Sequence, residues 1–147
     1  MIRPDRLKEV PNPGSAWRQM GLGGPAPDAM YIHQSRDPAK SPHWAVQVWK
    51  LRHSELQGTP WEGSYRVSVR CSTATKPEQY DKKKFCPVVG WDDLQAIKEH
   101  LFPGQIAVEI YPPPSELVNV AHMRWLWVLP KGAVLPFNLN GKGKLES

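Results

Sequence analysis

Proline placement constrains this chain more than any other feature of its sequence. Of 16 prolines, Pro4, Pro11, Pro13, Pro25, Pro27 and Pro38 fall in the first forty residues, alongside Gly14, Gly21, Gly23 and Gly24. Proline fixes φ and removes a backbone donor, so it interrupts helices and central strands, and dense Pro/Gly punctuation leaves little room for either. Residues 1–40 are therefore expected to form an extended Pro/Gly-rich arm. Trp17, Met20 and Leu22 would be scattered anchors that pin it to a body or a partner.

Beyond the arm, periodic patterns appear. Residues Trp44 to Leu51 place Trp44, Val46 and Val48 on one face and Ala45, Trp49 and Leu51 mostly on the other, as expected of a strand covered on both sides. Residues Tyr65 to Ser72 alternate cleanly, with Tyr65, Val67, Val69 and Cys71 facing a core and Arg66, Ser68, Arg70 and Ser72 forming a basic outer face. Residues 52–64 connect these two strands, and residues 73–90, carrying Lys82, Lys83 and Lys84, read as a loop. Trp91, Leu94, Ile97 and Leu101 recur at helical spacing. Asp92 and Asp93 in the first turn and Lys98 and His100 in the last complement the helix dipole, and Pro103-Gly104 stops the helix. Two more strands are expected at Gln105 to Tyr111 and Met123 to Leu129, separated by the stiff Pro112-Pro113-Pro114 run and an apolar stretch from Leu117 to Ala121.

The order arm, strand, strand, helix, strand, strand predicts an α+β fold: a small antiparallel sheet of about four strands, one packed helix and the extended arm. A parallel crossover through residues 73–104 is the alternative. The expected division is 1–40 arm, 41–140 a single α+β domain and 141–147 a polar tail. With 147 residues, 40% of them hydrophobic, the chain is long enough for one core without disulfides or a structural metal. The longest apolar stretch, Trp125 to Pro130, falls far short of the ~20 residues of a membrane span, and the Met1 to Arg6 start lacks the apolar segment of a signal peptide. The two cysteines, Cys71 and Cys86, are expected as reduced thiols.

The helix pattern Trp91, Leu94, Gln95, Ile97, Lys98, followed by Ala107 to Pro112, Glu116 to Val118 and Leu126 to Pro130, resembles an uncharacterised family of short proteins of tailed bacteriophages and prophages, a domain of unknown function. Arg18 to Met20 and Met30 to His33 match its leading segment more loosely, and residues 44–85 are longer than in typical members. The family has no activity to carry over, so no residue inherits a role. The resemblance implies a phage origin, with the host bacterial cytoplasm or the virion as the place of action.

Four chemistries compete. Nucleic-acid binding would use Arg66, Arg70, Lys82, Lys83 and Lys84, since residues 63–84 hold six basic against two acidic side chains, with Tyr80, Phe85 or Trp61 available for stacking. The structural alternative is a solvated basic face, in a chain of net charge +5 without a DNA- or RNA-binding signature. Metal binding by Cys71, Cys86, His43, His53 and His100 lacks any paired-ligand spacing, and Cys71 reads as core. Catalysis would need Cys86 with His100 or His122, or carboxylates from Asp92, Asp93 and Glu109. Adjacent Asp92 and Asp93 point about 100° apart on a helix and cannot form one dyad.

Protein recognition fits the composition best, because Trp, Tyr and Met are hot-spot residues and proline-stiffened segments lose little entropy on docking. Trp17, Met20, Trp61, Tyr111 and Pro113 are its candidates, while Trp44, Trp49, Trp91, Trp125 and Trp127 read as core. Trp17 and Trp61 have an alternative reading as lids on the edges of their own domain. The expectation is a phage accessory protein without catalysis or cofactor that binds a host or virion protein, copies of itself included. Nucleic-acid binding comes second, and an enzyme of unrecognised type is the weaker alternative. No membrane partner is expected.

Overall fold

Alternation along the strands of a single sheet assigns nearly every core residue to one of two faces. The structure, a computed structural model, describes residues 2–19, 24–38, 40–52, 54–79, 82–110, 123–133 and 144–145, with the side chains of 77, 83, 144 and 145 excepted. Strands β1 (Lys8–Glu9), β2 (Ala29–His33), β3 (His43–Lys50), β4 (Tyr65–Ser72), β5 (Ala107–Ile110) and β6 (Arg124–Val128) build the sheet, and the two-residue β7 (Lys144–Leu145) adds to the outer edge of β5. The order is β1-β2-β3-β4-β6-β5-β7, and every pairing is antiparallel. The long β3–β4 ladder, from His43↔Ser72 to Lys50↔Tyr65, forms its centre.

Two helices accompany the sheet, α1 (Pro13–Gln19) and α2 (Trp91–Leu101). Strands β4 and β5 run the same way with β6 inserted between them, so β4-α2-β5 is a split crossover. Helix α2 lays Leu94 and Ile97 on the face formed by Trp44, Val46, Val48, Val67, Val69, Cys71, Leu126 and Val128. Asp93 fixes its first turn: Oδ2 accepts from Gly90 N at 3.3 Å and Oδ1 from Ile2 N at 2.7 Å. That second bond docks the start of the chain, with Ile2 only 5% exposed in the helix-side core. On the opposite face Trp17, Met30, Trp49 and Trp125 form a separate cluster, covered by α1 and by Val10 and Ala26.

This corrects the expected fold class. The sheet is larger than the four strands predicted, there are two helices rather than one, and the first forty residues supply β1, α1 and β2 instead of an extended arm. The reason is where the prolines stand. Pro13 occupies the first position of α1, where its missing donor costs nothing. Asn12, at φ +52°, turns the chain into the helix, and its Oδ1 accepts from Ser15 N at 3.3 Å. Pro25 and Pro27 precede β2, leaving Ala29–His33 free of proline and able to pair with residues 44–48 of β3. The prolines are boundaries here, and the elements lie between them. The parallel crossover kept as the alternative for residues 73–104 is present in split form, because β4 and β5 run the same way through α2, with β6 paired between them.

Candidate functional site

Five of the seven tryptophans converge on the face of the sheet opposite α2. Odd-numbered Trp49 on β3, even-numbered Arg66 on β4 and odd-numbered Trp125 and Trp127 on β6 share this face, because Trp49 pairs with Arg66 and Arg66 with Trp127. Helix α1 adds Trp17, whose ring meets Trp49 edge-on at 5.4 Å and 87°. Trp49 and Trp125 lie 5.7 Å apart at 29°. At the other end Trp61, from the β3–β4 connection, meets Trp127 at 6.4 Å and 62°. Such pairs contribute roughly 0.5–1.5 kcal/mol each beyond their buried area.

Arg66 stands in the middle of this row. Its guanidinium carbon is 4.9 Å from the centroid of Trp49 and 4.6 Å from that of Trp125. Two such cation–π contacts are worth about 1–2 kcal/mol each when partly desolvated. The opposing term is Nε, which is buried without a hydrogen-bond partner, a cost of about 1–3 kcal/mol. The indole nitrogens of Trp17, Trp61, Trp125 and Trp127 are likewise buried and unpartnered. All five orphans are donors. Trp49 differs, since its Nε1 donates to Pro25 O at 2.9 Å and ties the segment before β2 to the face. Beneath the row Ser68 Oγ donates to Gln47 Oε1 at 2.6 Å, both residues being buried.

The helix-bearing face holds a different polar group. Arg124 donates from Nε to Glu109 Oε2 at 2.7 Å, from Nη2 to Oε1 at 2.6 Å and from Nη1 to Val89 O at 2.7 Å. Glu109, which looked isolated on its strand, is therefore half of a bidentate ion pair that clamps β5 and β6 to the segment entering α2. Cys71 is buried, and its thiol donates to Pro87 O at 3.3 Å. Burial pushes its pKa up to about 11, so it is a poor nucleophile. Cys86 is buried whereas His100 is exposed. Among the described residues no group of three or more His, Cys, Asp or Glu side chains is placed to hold a metal. A shallow groove of about 480 Å³ at the β1 edge, between Arg6, Lys8, His33 and Gln34, lies among residues the sequence did not single out.

The structure redistributes the other candidates. Trp17 is only 7% exposed and Trp61 half-buried, so both sit as lids at the two ends of one aromatic row. Met20, Tyr111 and Pro113 lie outside the described residues, as do His53, Tyr80, His122 and the triple-proline run. Arg66 and Arg70 share a face as expected. Lys82 and Lys84 are exposed, Lys84 over the Phe85 ring at 5.1 Å, and Lys83 is described by its backbone alone. The segment leaving these lysines packs Pro87 and Val89 on the α2 side, and Phe85 O accepts from Thr73 N at 2.9 Å just beyond the end of β4. What sequence reading missed is the union of Trp49, Arg66, Trp125 and Trp127. Strand parity was the available signal, but it becomes informative only once the register is known.

Fold and site together define a small sheet protein with a helix over one face and a tryptophan-arginine row over the other. Residues 61–131 match a family described as a domain of unknown function, DUF7694. That match supports the resemblance to an uncharacterised family and extends it from Trp91 back to Trp61, so it takes in Trp61, Arg66, Trp125 and Trp127. Trp17 and Trp49 come from outside the matched stretch. No curated protein and no solved structure matches the chain.

Proposed function

We propose that this chain is a phage- or prophage-encoded accessory protein that acts by binding another protein, of the host or the virion, without catalysis. The observation that carries the reading is the tryptophan row itself. Its Trp17 end is closed, while Trp61 and Trp127 remain half-buried beside an arginine held in a fixed place. Half-exposed indoles next to a rigid arginine are the composition of an interface hot spot. The nucleic-acid alternative has less behind it, since phosphate binding needs several cations along one track and Arg66 is engaged with the rings of Trp49 and Trp125. The host cytoplasm or the virion is the corresponding place of action.

The test is a tagged pull-down from bacterial host cells, wild type against Trp61→Ala, quantified by mass spectrometry. A protein recovered by the wild type and lost from the variant supports the reading. Identical recovery by both removes Trp61 from the interface. A salt-sensitive oligonucleotide shift that vanishes in Arg66→Ala/Arg70→Ala would replace it with nucleic-acid binding.

A further inference from the structure

Arg66 carries an inference beyond a general protein interface. Its Nε is buried, and its guanidinium lies beside the Trp49–Trp125 pair in contact with both rings, 4.9 and 4.6 Å from their centroids. Among the described residues it forms no hydrogen bond and no ion pair. The terminal nitrogens Nη1 and Nη2 are absent from the buried unpartnered atoms, so they reach solvent. The two rings and the buried Nε thus restrain the guanidinium, while its terminal nitrogens keep contact with solvent and have no partner among the described residues. The edge those nitrogens form is the one a carboxylate engages through two parallel hydrogen bonds. A flexible surface arginine loses side-chain entropy when it binds an anion, and one already restrained against aromatic rings loses less.

We propose that Arg66 is a preorganised receptor for a carboxylate presented by an acidic segment of a partner protein, with Trp61 and Trp127 supporting the neighbouring apolar residues. This rests on the protein-binding reading above and names the chemistry of its partner. Charge complementarity selects the occupant. The row offers a guanidinium with no acid paired to it among the described residues, within a chain of net charge +5. A phosphate chain is less suited, since it needs several cations along one track and Arg66 is engaged with the rings of Trp49 and Trp125. The carboxylate has two sources, a Glu or Asp side chain or a chain terminus.

The experiment uses the full chain and three fluorescein-labelled peptides: an amidated alternating Glu-Pro peptide, its Gln-Pro counterpart, and the Gln-Pro peptide with a free C-terminal carboxylate. Binding is followed by anisotropy and by the tryptophan emission that Arg66 ligation perturbs. The amidated Glu peptide is expected to bind at least about tenfold more tightly than the amidated Gln peptide, with the difference lost in Arg66→Met and reduced in Arg66→Lys. Recovery of affinity by the free-terminus Gln peptide alone would assign the site to a chain end. Near-ultraviolet circular dichroism checks that the aromatic row persists in the variants, and the Glu/Gln comparison on the wild type needs no variant at all. Equal affinity for the Glu and Gln peptides, no binding of any peptide, or preference for a short oligo(dT) would overturn the proposal. A cellular partner that is lost from Trp61→Ala but retained by Arg66→Met would overturn it while leaving the protein-binding reading intact.

Discussion

Glu109 and Arg124 show how much a single pair can hold. Two hydrogen bonds from Arg124 satisfy a carboxylate whose side chain is 6% exposed, and a third from Arg124 reaches Val89 O. Removing one member of such a pair strands the other, so Arg124→Met is expected to cost about 3 kcal/mol in urea unfolding. The double variant Glu109→Leu/Arg124→Met should recover part of that loss, because an apolar pair leaves no buried charge. Cys71 gives the second prediction at this scale. Its folded pKa, raised by burial to about 11, lies above the ordinary thiol value of 9.0, so the unfolded chain ionises first. Stability is therefore constant below about pH 9 and falls as pH rises from there towards 11. Denaturant midpoints measured across that window, wild type against Cys71→Ala, should converge at the alkaline end. Iodoacetamide at pH 8 should leave Cys71 unlabelled until the chain unfolds.

Among the elements, α2 was plain in the sequence, since Trp91, Leu94, Ile97 and Leu101 repeat at helical spacing and Pro103-Gly104 ends the pattern. The spans of β3 and β4 were equally visible from alternation. α1 was hidden by the rule used to read it. Asn12-Pro13 is a helix start, with the cap and the first residue in order, but within a Pro/Gly-rich stretch the same residues also fit an interruption. β2 was missed for the same reason. The site was legible only by parts, because Arg66 and Trp49 become neighbours through register, which depends on partners far away in the chain. Two expectations follow. Asp93→Ala removes the bond that starts α2 and the one that docks Ile2, so it should cost about 1.5–3 kcal/mol and give residues 2–7 the earliest amide exchange. Trp17→Ala should cost about 3 kcal/mol, roughly what deleting a buried aromatic costs, and should change the near-ultraviolet spectrum of Trp49. An unchanged midpoint in that variant would mean α1 is not seated on the row.

For the whole molecule, the central β3–β4 ladder joins residues up to 29 positions apart, and β4 reaches across to β6 more than fifty residues on. Such non-local pairing predicts folding on the millisecond-to-second scale, and stopped-flow tryptophan fluorescence will report it. Both outer strands of the described sheet, β1 and β7, are two residues long, and Lys8 and Glu9 on β1 are exposed and charged. Stubs of this kind give an incoming chain almost no main chain to copy. On the proposed protein-binding reading, recognition is then left to side chains standing on the faces. A main-chain template accepts many sequences, whereas a face of indoles around one guanidinium accepts few. Changing what the protein recognises would therefore need few substitutions in the row and no rebuilding of the sheet.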